Sequence, residues 1–200
     1  LGDVYKRQVY AQQVHSADVR IAHAADAQPP EMEPRFTCDG FVTNEPDVPL
    51  AVFMADCLPA LLHDPVAGVI GAVHCGWRGS VADILGAAVA QMCALGAHPA
   101  DIRAAIGPGI GACCFEVGPE VVAAAEALLH EPLGALVRPA AGDRALLELK
   151  GVNARRLTQL GVPAEQIAVS DACTMCRPDV FWSHRATDGR RGVQAAVITL

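Results

Sequence analysis

Lysine is nearly absent from this chain: Lys6 and Lys150 are the only two in 200 residues. The remaining basic charge is arginine. Fifteen basic side chains face 22 acidic ones, for a net charge of −7 and a pI near 5.4. That balance argues against a general binder of nucleic acid or of anionic membrane, which needs a basic face. The arginine bias reads first as codon usage, with anion recognition by guanidinium forks as the functional alternative. Long apolar runs are missing too. The longest uncharged stretch, 84–100, has 17 residues and includes Gln91, His98 and Pro99, whereas a spanning helix needs about 20 apolar residues. No basic segment followed by an apolar run stands near Leu1, so no secretory signal is expected and a cytoplasmic protein is. The start is unusual in lacking methionine. Residues 1–8 (LGDVYKRQ) are expected to be a foreign leader on an N-terminally shortened protein, with one domain over 9–200.

What is present points to a folded enzyme-sized domain. Hydrophobic residues make up 52% and charged ones 18% of the chain, too apolar for disorder. A chain of this length can bury about 70% of its unfolded surface without a disulfide staple. Eight cysteines occur, several of them (Cys57, Cys75, Cys93) in apolar segments, which fits reduced thiols better than a secreted framework. Residues 9–21 read as strand-like and 24–35 as a Pro- and acid-rich loop. DGFVT (39–43) reads as a short strand. The apolar run 50–62 reads as a buried strand ending near Asp56 and resuming after Pro59, and 68–74 as a second. Ser80 with Asp83 forms a capping-box-like start to a helix carrying Val81, Ile84, Leu85, Ala88, Met92 and Leu95, stopped by Gly96 and Pro99. Further helices are expected over 119–130, opened by Pro119, and over about 145–160. Strands are expected at 102–106, 167–170 and 193–200. Together these predict an α+β fold: a single domain of mixed β-sheets layered with helices.

Chemistry-bearing residues cluster where the strands are expected to end. Asp56 and Cys57 follow one buried strand; His74, Gly76, Arg78 and Gly79 follow the next. Two strands ending at one sheet edge bring Cys57 close to His74, and His15 can add a third ligand. One thiolate and two imidazoles would make a three-ligand zinc site with an open position. The spacings match no local metal-ligand rule. From the residues alone the favoured reading is His74 as a hydrogen-bonded strand-end histidine, Cys57 as a small buried hydrophobe and His15 as a surface residue. Cys173 and Cys176 form a CxxC without a second CxxC to complete a zinc ribbon, so structural thiols are expected. The adjacent Cys113 and Cys114 are expected to point to opposite sides. The segment GPGIG (107–111) lacks the Lys-Ser/Thr of a phosphate loop.

The ordered motifs QVHS, DGFVT, MADCLPALLHDP, GAVHCGWRG, IGPGIGACCFEVG and DACTMC…FWSHR…GRRGVQAAVI resemble the YfiH-like laccase-domain family. That family is also called the polyphenol oxidase or purine nucleoside phosphorylase family. The departures are small: Cys75 stands where alanine is commoner, and Trp182-Ser183-His184-Arg185 varies an aromatic-Ser-x-Arg pattern. The resemblance implies zinc ligands at His15, Cys57 and His74. It also implies phosphorolysis of adenosine, inosine and S-methyl-5'-thioadenosine, with deamination of adenosine. Expected partners are therefore purine nucleosides and phosphate. Asp56, Cys57 and His74 are the candidate catalytic residues, with Asp56 or Asp171 as a proton-handling carboxylate. Asp56 reads equally well as a strand-end carboxylate bonded to backbone N–H groups. A phosphate site is expected at the N-terminus of the helix opened by Ser80, with Gly76, Gly79 and Arg78. Alternatives are a copper polyphenol oxidase, a cysteine hydrolase using Cys57 and His74, and a non-catalytic cell-wall-related partner. The copper reading lacks any H-x-H pair, and the hydrolase leaves His15 idle.

Overall fold

A computed structural model describes residues 6–200. Its first strands are β1 (Val19–Ile21), β2 (Gly40–Thr43), β3 (Leu50–Met54), β4 (Leu58–Asp64) and β5 (Val69–Cys75). Helices α1 (Trp77–Val81) and α2 (Ile84–Ala94) follow, then β6 (Arg103–Ile106) and β7 (Glu116–Val117). Helix α3 (Pro119–Leu129), β8 (Val137–Pro139), β9 (Ala145–Leu147), α4 (Leu149–Gln159), β10 (Ile167–Val169) and β11 (Gln194–Ile198) complete the chain. The main sheet has six strands in the order β1-β2-β5-β4-β6-β10; β11 pairs with β3, and β7, β9 and β8 form a small third sheet. The outer pairs β1–β2 and β6–β10 are parallel and the inner pairs antiparallel, so the sheet is mixed. The fold is α+β, as the sequence predicts. Of the expected leader, residues 1–5 lie outside the described residues, and Gln8 pairs antiparallel with Gln28.

Strand β5 is central and buried along its whole length, which explains its unbroken apolar sequence. Alternation divides its side chains between two cores. Val69, Val73 and Cys75 join Leu58, Ala60 and Leu62 of β4 in a core with the helices. Ile70 and Ala72 face the other way, into a smaller core with Leu50, Val52 and Met54 of β3. By the same parity His74, the one polar side chain of the strand, points to the β3 side. Among the described residues no helix is long and apolar enough to cross a membrane.

Three local expectations are corrected. Ser80 does not open a helix: it lies inside the short α1, and α2 starts after Asp83. Asp83 itself is the cap, in a left-handed conformation with its carboxylate accepting from Gly86 N. Arg156 of α4 holds that carboxylate through two hydrogen bonds of 2.6 and 2.8 Å. The helix expected over 145–160 is shorter. Its first residues form β9 instead, where Leu147 pairs with Val137, and Glu148 at φ −86°, ψ 79° separates strand from α4. Cys113 and Cys114 do not diverge. They sit in a turn closed by Cys114 N and Phe115 N on Gly111 O, both at 2.9 Å, and a turn does not alternate its side chains as a strand does.

Candidate metal centre

Register makes Cys57 and His74 neighbours. Leu58 lies opposite Cys75 and Pro59 opposite His74 in the antiparallel β4–β5 pair. The start of β4 therefore sits beside the end of β5. This corrects the expectation of two strands ending together, because Cys57 precedes β4 and His74 is the penultimate residue of β5. His15 arrives from a loop and adopts a left-handed φ of 62°. That conformation costs a non-glycine residue about 1–2 kcal/mol. Asp39 offsets it. Its carboxylate accepts Val14 N (3.2 Å), His15 N (3.0 Å), Ser16 N (2.7 Å) and the Ser16 hydroxyl (2.8 Å). Hydrogen bonds to a charged group contribute about 1.5–3 kcal/mol each, so four of them outweigh the strain.

The same carboxylate orients His74. The His74 Nδ1–H donates to Asp39 Oδ1 at 2.8 Å, and His74 N donates to Asp39 O at 2.7 Å. Nε2 of His74 is left to face His15 and Cys57. One donor atom from each of His15, Cys57 and His74 lies within 4.8 Å of the others. Cys57 Sγ is 3.7 Å from His15 Nε2. A tetrahedral ion with bonds of about 2.3 Å to sulfur and 2.0 Å to nitrogen would hold these two atoms about 3.5 Å apart. The donor set fits a metal, and the carboxylate behind His74 is the support that metal-ligating histidines commonly have.

Electrostatics favour the thiolate of Cys57 and the protonated form of His74, whose Nε2 proton a metal would displace. Burial raises the Cys57 thiol, but hydrogen bonds and charge from His15 and His74 bring it down to about 7. Burial lowers His74, yet its bond to Asp39 and its contact with Cys57 raise it to about 9. Asp39 is pushed up by burial and held well below the usual carboxylate range by His74, Ser16 and Val14. Without metal these shifts favour a Cys57 thiolate beside a protonated His74 backed by the Asp39 carboxylate, the thiolate forming as pH rises through about 7.

A cavity of about 230 Å³ opens onto the three donors, with Gln13, Phe53 and Arg191 in its wall. Arg191 Nε is buried there without a hydrogen-bond partner. Gly76 closes the site from behind: a Cβ on it would stand 2.8 Å from His15 Cδ2 and 3.2 Å from Cys57 Sγ. The other expected site residues have these surroundings. Gly79 packs on the Ser16 carbonyl, where a Cβ would stand at 2.7 Å. Ser80 is buried and its hydroxyl accepts from Asn153 Nδ2 at 3.1 Å. Arg78 is exposed, with its guanidinium 4.4 Å from the Trp77 ring centroid. Both Asp56 oxygens are engaged, by the Thr174 hydroxyl at 2.6 Å and Arg185 N at 2.7 Å. Asp171 is exposed and lines a separate cavity with Cys113 and Cys173. Sequence reasoning gave no role to Asp39 or Arg191. The only signal for Asp39 is a carboxylate at the head of the buried strand DGFVT.

The sequence profile of a family described as "Multi-copper polyphenol oxidoreductase laccase" matches residues 2–200. The chain belongs to this laccase-like family. A curated relative, "Purine nucleoside phosphorylase YlmD" of Bacillus subtilis, is 40% identical over 157 residues, covering 77% of this chain and 55% of the relative. "Adenosine deaminase RL5", from an unknown prokaryotic organism, is 40% identical over 147 residues, covering 74% of this chain and 56% of the relative. The chain thus spans a little over half the length of these two laccase-like relatives. The crystal structure of Bacillus licheniformis hypothetical protein YfiH superposes with a TM-score of 0.89 at 33% identity, over 99% of this chain and 75% of that one.

Proposed function

We propose that this chain is a zinc-dependent purine nucleoside enzyme. It cleaves adenosine, inosine and S-methyl-5'-thioadenosine with phosphate, giving free base and ribose or methylthioribose 1-phosphate, and it deaminates adenosine. The observation that carries this reading is the set of three donors from His15, Cys57 and His74 at the mouth of one cavity. Three protein ligands leave one position open, the mark of a catalytic rather than a structural site. The relatives called purine nucleoside phosphorylase and adenosine deaminase supply the substrate class. When bound, the zinc ion supplies a Lewis acid that lowers the pKa of coordinated water to about 7. The chain's own residues do the rest. Asp39 fixes the proton of His74 on Nδ1, and the β4–β5 register holds Cys57 against it.

Phosphate needs a cationic partner. With no helix starting at Ser80, the role passes to a guanidinium. Arg191 suits it because the residue lines the metal cavity and its buried Nε has no hydrogen-bond partner; a phosphate oxygen is the kind of acceptor a guanidinium takes. Arg78 is the alternative. Product analysis of adenosine, inosine and methylthioadenosine reactions, with and without phosphate, tests the whole reading. Phosphate-dependent release of base supports it, and no turnover of any of the three by zinc-loaded protein overturns it. Arg191→Ala should raise the phosphate requirement of inosine cleavage more than phosphate-free deamination, and Arg78→Ala should do neither.

Copper is the competing metal, since histidine and thiolate also suit it. Neither transfer of the ribosyl group from base to phosphate, in which the C1'–N bond breaks as a C1'–O bond forms, nor hydrolytic deamination needs an oxidant or reductant, which favours zinc. Metal analysis of purified protein separates the two. A cysteine hydrolase gains one observation in its favour, the depressed Cys57 thiol beside His74. It predicts activity in metal-free protein, where the zinc reading predicts none.

A further inference from the structure

We propose that Cys113, Cys114, Cys173 and Cys176 bind a second metal ion, of the zinc class, in a closed four-thiolate site distinct from the centre at His15, Cys57 and His74. All four sulfurs lie within 4.8 Å of one another. Cys176 Sγ is 3.5 Å from Cys113 Sγ and 3.4 Å from Cys114 Sγ. A tetrahedral ion with bonds of about 2.3 Å to sulfur would set every S···S edge near 3.8 Å. A disulfide needs about 2.05 Å and employs only two of the four. Convergence of four thiols on one point is what a soft or borderline cation requires.

Backbone geometry builds the site from two turns. Gly109 and Cys173 form a parallel bridge, and Thr174 N donates to Gly109 O at 3.1 Å. This lays the 173–176 turn against the 111–115 turn. Gly111 allows the contact: a Cβ on it would stand 3.2 Å from Cys173 Cβ and 3.4 Å from Cys113 Sγ. Gly111 N–H also donates to Cys173 Sγ at 3.2 Å, a bond that strengthens when the sulfur is a thiolate. Four thiolates around a divalent ion carry two negative charges. Lys150, whose Nζ donates to Ser170 O and Ala172 O, and Arg138, which reaches Ala112 O at 3.5 Å, line one cavity with Cys113 and Cys173. Binding forms four metal–sulfur bonds and releases four thiol protons to solvent.

Four sulfurs leave no open position, so this ion is a brace. The brace reaches the other centre. Thr174, inside the cysteine turn, donates to Asp56 Oδ1, and Ile110 N donates to Asp56 O at 2.8 Å. Asp56 is the residue before Cys57, and the second ion therefore ties down the backbone that presents the first ion's sulfur ligand.

The test counts metal in protein purified under reducing conditions without chelator. Wild type should hold about two equivalents of zinc. His15→Ala/Cys57→Ala should keep about one, and cobalt exchanged into that variant should show the intense thiolate-to-metal absorption of a four-sulfur tetrahedral site. Cys113→Ser/Cys176→Ser should lose one equivalent while keeping the first. Absence of metal from folded His15→Ala/Cys57→Ala overturns the proposal. So does a disulfide among these four cysteines in the intact mass of freshly purified, non-reduced protein. If the cysteine double variant does not fold, the first two measurements decide alone.

Discussion

Gly76→Ala separates folding from metal binding. Gly76 has φ −69° and ψ 160°, an ordinary extended conformation that alanine adopts without strain. Removing a glycine at such a position stabilises a fold by about 0.4–1 kcal/mol through the unfolded chain. The new methyl, however, would meet His15 Cδ2 at 2.8 Å and Cys57 Sγ at 3.2 Å. Carbon–carbon contacts settle at about 3.5–4.0 Å, so the His15 ring must move by roughly 0.7 Å or more. His15 is exposed, and the ring can swing outward at little cost to the fold. Metal–ligand bonds tolerate only about ±0.2 Å. The displacement therefore falls on the ligand geometry and not on the core. A weakening of about 10–100-fold is expected, the range for disturbed ligand support, or about 1.4–2.8 kcal/mol. The assay is a competition titration of metal-free protein against a chromophoric chelator, with thermal unfolding of the same samples. Unchanged or slightly raised metal-free stability together with weaker metal binding is the expected pair. A folded Gly76→Ala protein that binds metal as tightly as wild type would refute the placement of His15 as a ligand.

Asp39→Asn should weaken metal binding by about 10–100-fold and, unlike Gly76→Ala, also lower the unfolding temperature of metal-free protein, because its amide replaces an acceptor with a donor facing N–H groups; calorimetry and the same titration check both. In metal-free protein the Cys57 thiolate should form as pH rises through about 7, so iodoacetamide labelling of the Cys57 peptide, followed by mass spectrometry, should have its midpoint there, and a midpoint near 9 would contradict the thiolate–imidazolium pair. Bound metal should suppress that labelling at every pH. Asp83→Ala should cost about 2–3 kcal/mol in urea unfolding, since it removes a helix cap and leaves Arg156 without its partner, whereas Asp83→Asn, which still caps and tolerates the left-handed backbone, should cost less than half as much.

The buried strands and two of the three expected helices are legible in the sequence because each is decided by local signals. Strands β4 and β5 are nearly continuous apolar runs, and α3 starts at Pro119 and ends at His130 in a left-handed cap. Expectation fails where tertiary pairing overrides a local pattern. The apolar residues Ala145, Leu146 and Leu147 suit a helix, yet β7 and β8 recruit them into a sheet. At the start of α2, Ser80 and Asp83 both carry capping oxygens, and only the position of α1 decides between them. The convergence of His15, Cys57 and His74 has no spacing signature. It arises from the β4–β5 register and from a loop pinned by Asp39, 24 residues away from His15 in sequence. Likewise the four cysteines escape motif rules because one pair is adjacent rather than separated by two residues.

Asp56 links the three-donor centre to the 173–176 turn. Its backbone sits at φ 82°, a strained value for a side chain other than glycine. Its carboxylate is held at both oxygens, by the Thr174 hydroxyl and by Arg185 N. Each oxygen keeps a further lone pair, so these bonds are compatible with a proton-handling role. The two bonds join the 173–176 turn and the backbone at Arg185 to the residue preceding Cys57. Cys57 and His74 thus have separate supports, His74 in the Asp39 carboxylate and Cys57 through Asp56. For His15 the Asp39 carboxylate holds the backbone N–H and not the ring, so the place of its exposed ring depends on its neighbours Cys57 and His74.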